Sequence, residues 1–300
     1  MADAGLLFLI NILWAAAYPF AKMALDNGMP PIFIAFFRWG VALVLLPIFA
    51  TRVKRVPLKL RKPDLLQAIL LGAVGMGIVH ILAFTGLSNT KASDATLLLA
   101  GEPLVMALMG LILLRERLRP AAAFAVPLGF AGAYLLINRG LLPPRTHDLA
   151  AFGNLLVTAS VIIEGTTGVL SRGLVKRYPG VTVLFWEVVG AVIILAIPAA
   201  MQWRHMVHTM PPLSAWLCVL YLGLINSTFC YAVWFVLLER HNIGKLGIFI
   251  FIQPVAGAAM AVLFNKEHLV LWTIIGAAMV LAGVWLSLRA DPETVPSAPE

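Results

Sequence analysis

Ten apolar runs follow one another with short polar connections and take up nearly the whole chain. They cover residues 5 to 25, 31 to 50, 64 to 87, 92 to 114, 118 to 138, 149 to 172, 180 to 200, 212 to 238, 243 to 264 and 269 to 288. A helix of roughly 20 residues, rising 1.5 Å per residue, crosses about 30 Å of hydrocarbon. In lipid each backbone N–H and C=O has to find its partner within the segment, which favours helices over open sheets. The runs therefore predict an all-α membrane protein with ten transmembrane helices. Only 12% of the residues are charged and 61% are hydrophobic, so little chain remains for a soluble domain.

The formal net charge of +8 could point to nucleic acid, but its distribution argues for membrane orientation. Of the 22 Lys and Arg, fifteen fall in loops on one side of the spans and six on the other, with Arg38 inside a span. The first side is expected to be cytoplasmic, as are both termini. The start of the chain carries Asp3 and no Lys or Arg, so the first span reads as retained rather than as a cleaved signal. Residues 290–300, with Asp291, Glu293, Glu300 and three prolines, read as a disordered cytoplasmic tail. Cys218 and Cys230 fall twelve residues apart in one span, on different faces of a helix, and cannot bridge each other.

The sequence repeats. One offset of 151 residues sets Gly72 on Gly223, Pro103 on Pro254, Glu116 on Glu267 and Gly132 on Gly283, with no gap from Leu66 to Leu135. The opening helices match at a different offset, Asn11 with Asn154. The domain reading is one five-helix repeat over 1–140 and a second over 149–289. Five is odd, so the second copy crosses the membrane in the opposite sense, an inverted repeat that implies alternating access.

Within each copy a proline stands inside an apolar run: Glu102-Pro103 in the fourth span and Gln253-Pro254 in the ninth. Proline leaves the carbonyl four residues back without a donor and bends the axis, here at Leu99 and Ile250. Such bends need neighbouring helices or a wet cavity to satisfy the freed groups. Pro103 and Pro254 are thus candidates for the moving bends of a gate.

Several stretches, in order along almost the whole length, carry a family resemblance: Asn11-Ile12-Leu13-Trp14, Phe36-Phe37-Arg38-Trp39, Glu102-Pro103, Leu114-Arg115-Glu116 and Gly129-Phe130-Ala131-Gly132. Together with the repeat they make the chain resemble the EamA family of the drug/metabolite transporter superfamily. The resemblance implies two five-helix bundles around a central cavity formed largely by helices 1, 3, 4, 6, 8 and 9. It also implies export of amino acids, aromatic ones in particular, and of related small metabolites.

Polar groups within spans are costly and usually face the bundle interior, so they are the first candidates for a substrate path. Asn11, Trp14 and Tyr18 share one face of the first helix, where Asn11 could equally pin two helices together. His80 and Tyr231 occupy equivalent repeat positions, as do Gly75 and Asn226, and Trp234 lies near Tyr231. Glu102 falls near the membrane midplane among Leu98, Met106 and Met109, with Gln253 as its neutral counterpart. The candidate substrate-binding set is therefore Trp14, Tyr18, His80, Glu102, Asn226, Tyr231, Trp234 and Gln253. A looser polar pathway comprises Asn11, Arg38, Asn154, Glu164 and Glu187. Arg38 and Glu187 are expected at different depths and so not as a pair.

A membrane enzyme is the alternative class, but the chain has no His-Glu-x-x-His, no Gly-x-Ser-x-Gly turn and no phosphate-binding loop. His205 and His208 form a loose pair in a loop without further ligands, too little for a metal. Carriers of nucleotide-sugars and phosphorylated sugars need several cations in the cavity, and Arg38 is the single one well inside a span. A drug carrier of the same superfamily also stays open as an alternative. The expected ligand is a zwitterionic or neutral small molecule, with the lipid bilayer as surroundings. No cofactor, metal or nucleic acid is expected, and the protein is expected to be a monomer.

Overall fold

The computed structural model describes residues 2–102, 149–206, 210–240 and 252–289, with residues 249–250 and scattered positions between 105 and 141. Pro103, Glu116, His208 and the tail 290–300 lie outside the described residues. Among those described there is no strand. Six helices are long and apolar enough to cross a membrane: α1 (Asp3–Asp26), α2 (Pro31–Lys54), α3 (Lys62–Ser88), and, after the short α4 (Ala92–Leu99), α5 (Leu149–Val175), α6 (Gly180–Arg204) and α7 (Leu213–Glu239). Two further apolar helices follow, α8 (Ile252–Asn265) and α9 (Leu271–Arg289).

Local sequence explains where these helices begin and deform. Pro31 and Pro63 stand in the first turns of α2 and α3, where a missing N–H costs nothing. Pro19 has no N–H to offer the carbonyl of Ala15, and α1 is interrupted at Ala16, between Trp14 and Tyr18. α4 ends at Leu99, the expected place; Ala100 and Gly101 continue as a tight turn whose N–H groups bond the carbonyls three residues back, at 3.2 and 3.0 Å. Helical structure resumes at Glu102. α3 and α7 each contain π-helical turns, over Ala73–Ile78 and Leu222–Cys230, at places the 151-residue offset superposes. Wide turns of this kind recur at functional sites.

The helices pack in a recurring scheme: α2 against α6, α4 against α8, α3 against both α5 and α6, and α7 against both α1 and α2. The α3–α6 crossing is backbone on backbone. A Cβ on Gly72 would overlap the Glu187 carbonyl, and one on Gly190 the Ile69 carbonyl. Gly86 and Gly153 bring α3 and α5 together in the same way.

Burial is arranged for lipid. Large apolar side chains such as Val44, Ile193, Ile197 and Leu213 stand exposed, while Asn11, Arg38, Asn154, Ser160, Glu187, Asn226 and Ser227 are buried. A soluble protein would reverse that preference. The polar interior lies where α1, α2, α3, α5 and α7 converge, on Trp39, which is fully buried.

Candidate functional site

Two consecutive residues of α2 set the centre. Trp39 meets His80 of α3 edge to face, with ring centroids 5.3 Å apart, and Tyr231 of α7 in the same way at 5.1 Å. His80 in turn packs on Phe84 at 5.4 Å. Tyr231 continues to Trp14 of α1 at 5.1 Å, and Trp14 to Trp234 at 5.6 Å. The result is a chain of six rings drawn from four helices, all in edge-to-face or tilted geometry favoured by their quadrupoles. His80 is fixed through Nδ1, which lies 2.7 Å from the Met76 carbonyl in the π-helical part of α3.

Arg38 lies beside these rings and is 3% exposed. Its Nε donates to Ser227 Oγ at 2.6 Å and its Nη2 to Asn226 Oδ1. The guanidinium also covers the Trp39 ring at 5.1 Å and the Phe84 ring at 5.7 Å. Asn226 and Ser227 both belong to the π-helical turns of α7, which bring two successive side chains onto one group. The Asn226 carbonyl accepts a hydrogen bond from Trp14 Nε1 at 3.2 Å, tying α1 to the same turn. At the equivalent position of α3, Gly75 has no side chain, and the Thr167 hydroxyl of α5 occupies that room.

Two acids belong to the same neighbourhood, and one of them, Glu164, lies within electrostatic reach of Arg38. Tyr231 donates its hydroxyl to Glu164 Oε1 at 3.4 Å, and Glu164 and Glu102 lie within electrostatic reach of each other and of Tyr18. Ser160 stands beside the Tyr18 hydroxyl. The Glu102 backbone rests on α5 near Gly165. Glu187 is 3% exposed and sits next to Ser171, apart from Arg38.

Of the residues singled out in the sequence, Trp14, Tyr18, Arg38, His80, Glu102, Glu164, Asn226, Tyr231 and Trp234 thus come together. Asn11 and Gln253 are given to each other: Gln253 Nε2 donates to Asn11 Oδ1 at 2.7 Å, and Asn11 Nδ2 to the Leu7 carbonyl at 2.8 Å. Asn154 accepts from the Thr90 hydroxyl and joins α5 to the end of α3. Pro254 is buried in the first turn of the described part of α8, while Pro103 lies outside the described residues. Ser227, Trp39 and Phe84 belong to the cluster but were not among the expected site residues. Each stands one residue or one turn from a residue that was. No group of three metal-ligating side chains occurs among the described residues.

Comparison with known proteins agrees with this architecture. The EamA-like transporter family matches residues 3–138 and, a second time, residues 151–289. An uncharacterized transporter of Archaeoglobus fulgidus is 25% identical over 283 residues, covering 94% of this chain and 96% of its own. A probable terminal-alkyne amino-acid exporter of Streptantibioticus cattleyicolor is 27% identical over 287 residues, covering 94% and 92%. A biotin transporter of Salmonella typhimurium is 27% identical over 295 residues, with the same coverage. One solved crystal structure superposes with a TM-score of 0.61 at 23% identity over 95% of this chain and 96% of the other, a likeness of fold. Two matches to one family, covering nearly every residue, mean that this chain belongs to the EamA-like transporters, multi-pass membrane proteins that move solutes and are not enzymes.

Proposed function

We propose that the protein exports amino acids with aromatic or other apolar side chains, and related small metabolites, across a bacterial inner membrane. The carrying observation is the ring cluster of Trp14, Trp39, His80, Tyr231 and Trp234 with Glu164 at its edge. Flat rings suit an apolar side chain, and a carboxylate at their margin suits an ammonium group. The cluster draws on helices from both family-matched segments. The amino-acid exporter among the relatives supports the substrate class.

In this reading the chain crosses the membrane ten times as two inverted halves, 1–140 and 149–289, with both termini in the cytoplasm, and works as a monomer. The packing supports two halves related by a pseudo-two-fold: α2 pairs with its counterpart α6 and α4 with its counterpart α8, while the α3–α5 contact is mirrored by α7–α1. The halves rock about the shared cluster, with the bends at Pro103 and Pro254 moving.

Counterflow of labelled amino acids into proteoliposomes tests the reading, with aromatic, aliphatic, hydroxylated and charged members in the panel. Aromatic or aliphatic members should exchange, and Trp14→Ala should slow exchange by about tenfold at unchanged folded yield. Absence of exchange with every amino acid would reject it.

A further inference from the structure

We propose that Arg38 and Asn226 form a dedicated carboxylate subsite, so that a free carboxylate on the ligand is obligatory for binding. Three features point the same way. Arg38 is a permanent cation, 3% exposed, and among the described residues no carboxylate lies within salt-bridge distance of it, Glu164 acting on it only from farther off. Its two bonded nitrogens rest on the neutral oxygens of Asn226 and Ser227, leaving Nη1 free of protein partners among the described residues. Asn226 is 1% exposed, and with its oxygen turned to Arg38 its Nδ2 has no hydrogen-bond partner. A second buried N–H without an acceptor is Trp39 Nε1, on the ring that the guanidinium covers.

Buried donors without acceptors are rare and costly, and an unpaired buried cation more so. The two orphaned N–H groups each lack an acceptor, and beside a guanidinium the acceptor best matched to them is an anionic oxygen. The planar guanidinium is the side chain best matched to a carboxylate, and a neighbouring amide N–H adds a second donor without adding charge. Glu164 acts on Arg38 at longer range, but its hydrogen bond goes to Tyr231 and it makes none to Arg38, Asn226 or Trp39 among the described residues. The π-helical turns of α7 make the arrangement possible by presenting Asn226 and Ser227 together. The repeat accounts for the subsite being single: at the position equivalent to Asn226, α3 has Gly75 packed against Thr167.

The subsite rests on the proposed amino-acid reading for the remainder of the ligand but not for the anion. Its test uses the full chain in detergent, titrated with L-phenylalanine, L-phenylalaninamide, phenethylamine, 3-phenylpropanoate and sodium chloride while tryptophan fluorescence or thermal stability is followed. Phenylalanine and 3-phenylpropanoate should bind. The amide and the amine should bind at least about tenfold more weakly, the loss expected for a hydrogen-bonded charge. Asn226→Asp, which places a carboxylate beside Arg38, should abolish this preference, as should Arg38→Gln if that variant folds. An amide that binds as tightly as phenylalanine overturns the subsite, and so do an unchanged preference in Asn226→Asp and an equal effect of chloride. Asn226-dependent binding of 3-phenylpropanoate without any binding of phenylalanine keeps the subsite and rejects the amino-acid reading. Phenylalanine exchange in proteoliposomes together with equally tight binding of phenylalaninamide does the reverse.

Discussion

Asn11 and Gln253 show what an intramembrane amide does when a partner is in reach. Each is buried, and the 2.7 Å bond between them joins α1 to α8 beside the ring cluster without entering it. Hydrogen bonds between helices in lipid are worth about 0.6 to 2 kcal/mol. A double-mutant cycle with Asn11→Ala and Gln253→Ala, read by thermal unfolding in detergent, is expected to give a coupling energy in that range. A coupling indistinguishable from zero would mean that the amides act separately. Sequence position alone left Asn11 open between path and pin, because a helical face says which way a side chain points and not what waits there. Arg38 was legible as an isolated cation, but its neutral partners were not, since they sit 188 and 189 residues away.

At the scale of the element, helix starts are completed by side chains from elsewhere. Gln202 of α6 accepts from the N–H groups of Ile32 and Phe33 at the start of α2, at 2.9 and 3.1 Å. Glu267, between α8 and α9, accepts from Ala92 and Ser93 at the start of α4, at 2.7 and 3.0 Å. Glu239 accepts from Gly180 at the start of α6, at 2.6 Å. The residues preceding α2 and α4, Pro30 and Lys91, offer no side-chain cap of their own. Glu267→Ala is therefore expected to cost about 1 to 2 kcal/mol, seen as a lowered unfolding temperature. Helix crossings give a sharper expectation. Gly190→Ala should reduce folded yield severely because its Cβ meets backbone, whereas Gly40→Ala, which meets nothing within 4 Å, should be tolerated. Equal yields would show that α3 and α6 can part without penalty. Six of the ten expected spans were legible to within a few residues, since hydropathy and flanking prolines fix their ends. The π-helical turns and the borrowed caps were not, because both depend on which helix arrives next to which.

For the whole molecule, the first and second family-matched segments are fastened at both ends of the bundle. At one end the Thr90 hydroxyl bonds Asn154, and Gly86 lies against Gly153. At the other, Asp64 at the start of α3 holds Arg177 at 2.8 Å and Tyr178 at 2.6 Å, while Arg61 reaches the Tyr178 hydroxyl at 3.1 Å. In the proposed alternating-access cycle each fastening opens in turn. Cysteine pairs at 90 and 154, and separately at 64 and 178, bridged by a reducible bifunctional reagent long enough to span the side chains they replace, should therefore each stop exchange and restore it on reduction. Exchange that continues through either cross-link excludes rocking at that end. The native Cys218 and Cys230 are buried and unbridged, which keeps the readout clean. The 151-residue offset made the two-part plan legible, but it treats the halves as equals. The structure makes them unequal at one telling position, Asn226 against Gly75, where a single side chain separates an anion-seeking turn from a packing contact.

The borrowed caps also set a timetable for biogenesis. Ile32 cannot meet Gln202 until 170 further residues have been made, and at roughly 5 to 20 residues per second that takes about ten to thirty seconds. Until then the amide groups that open α2 and α4 are left to water, so the last contacts of the N-terminal half form only once the C-terminal half has been made.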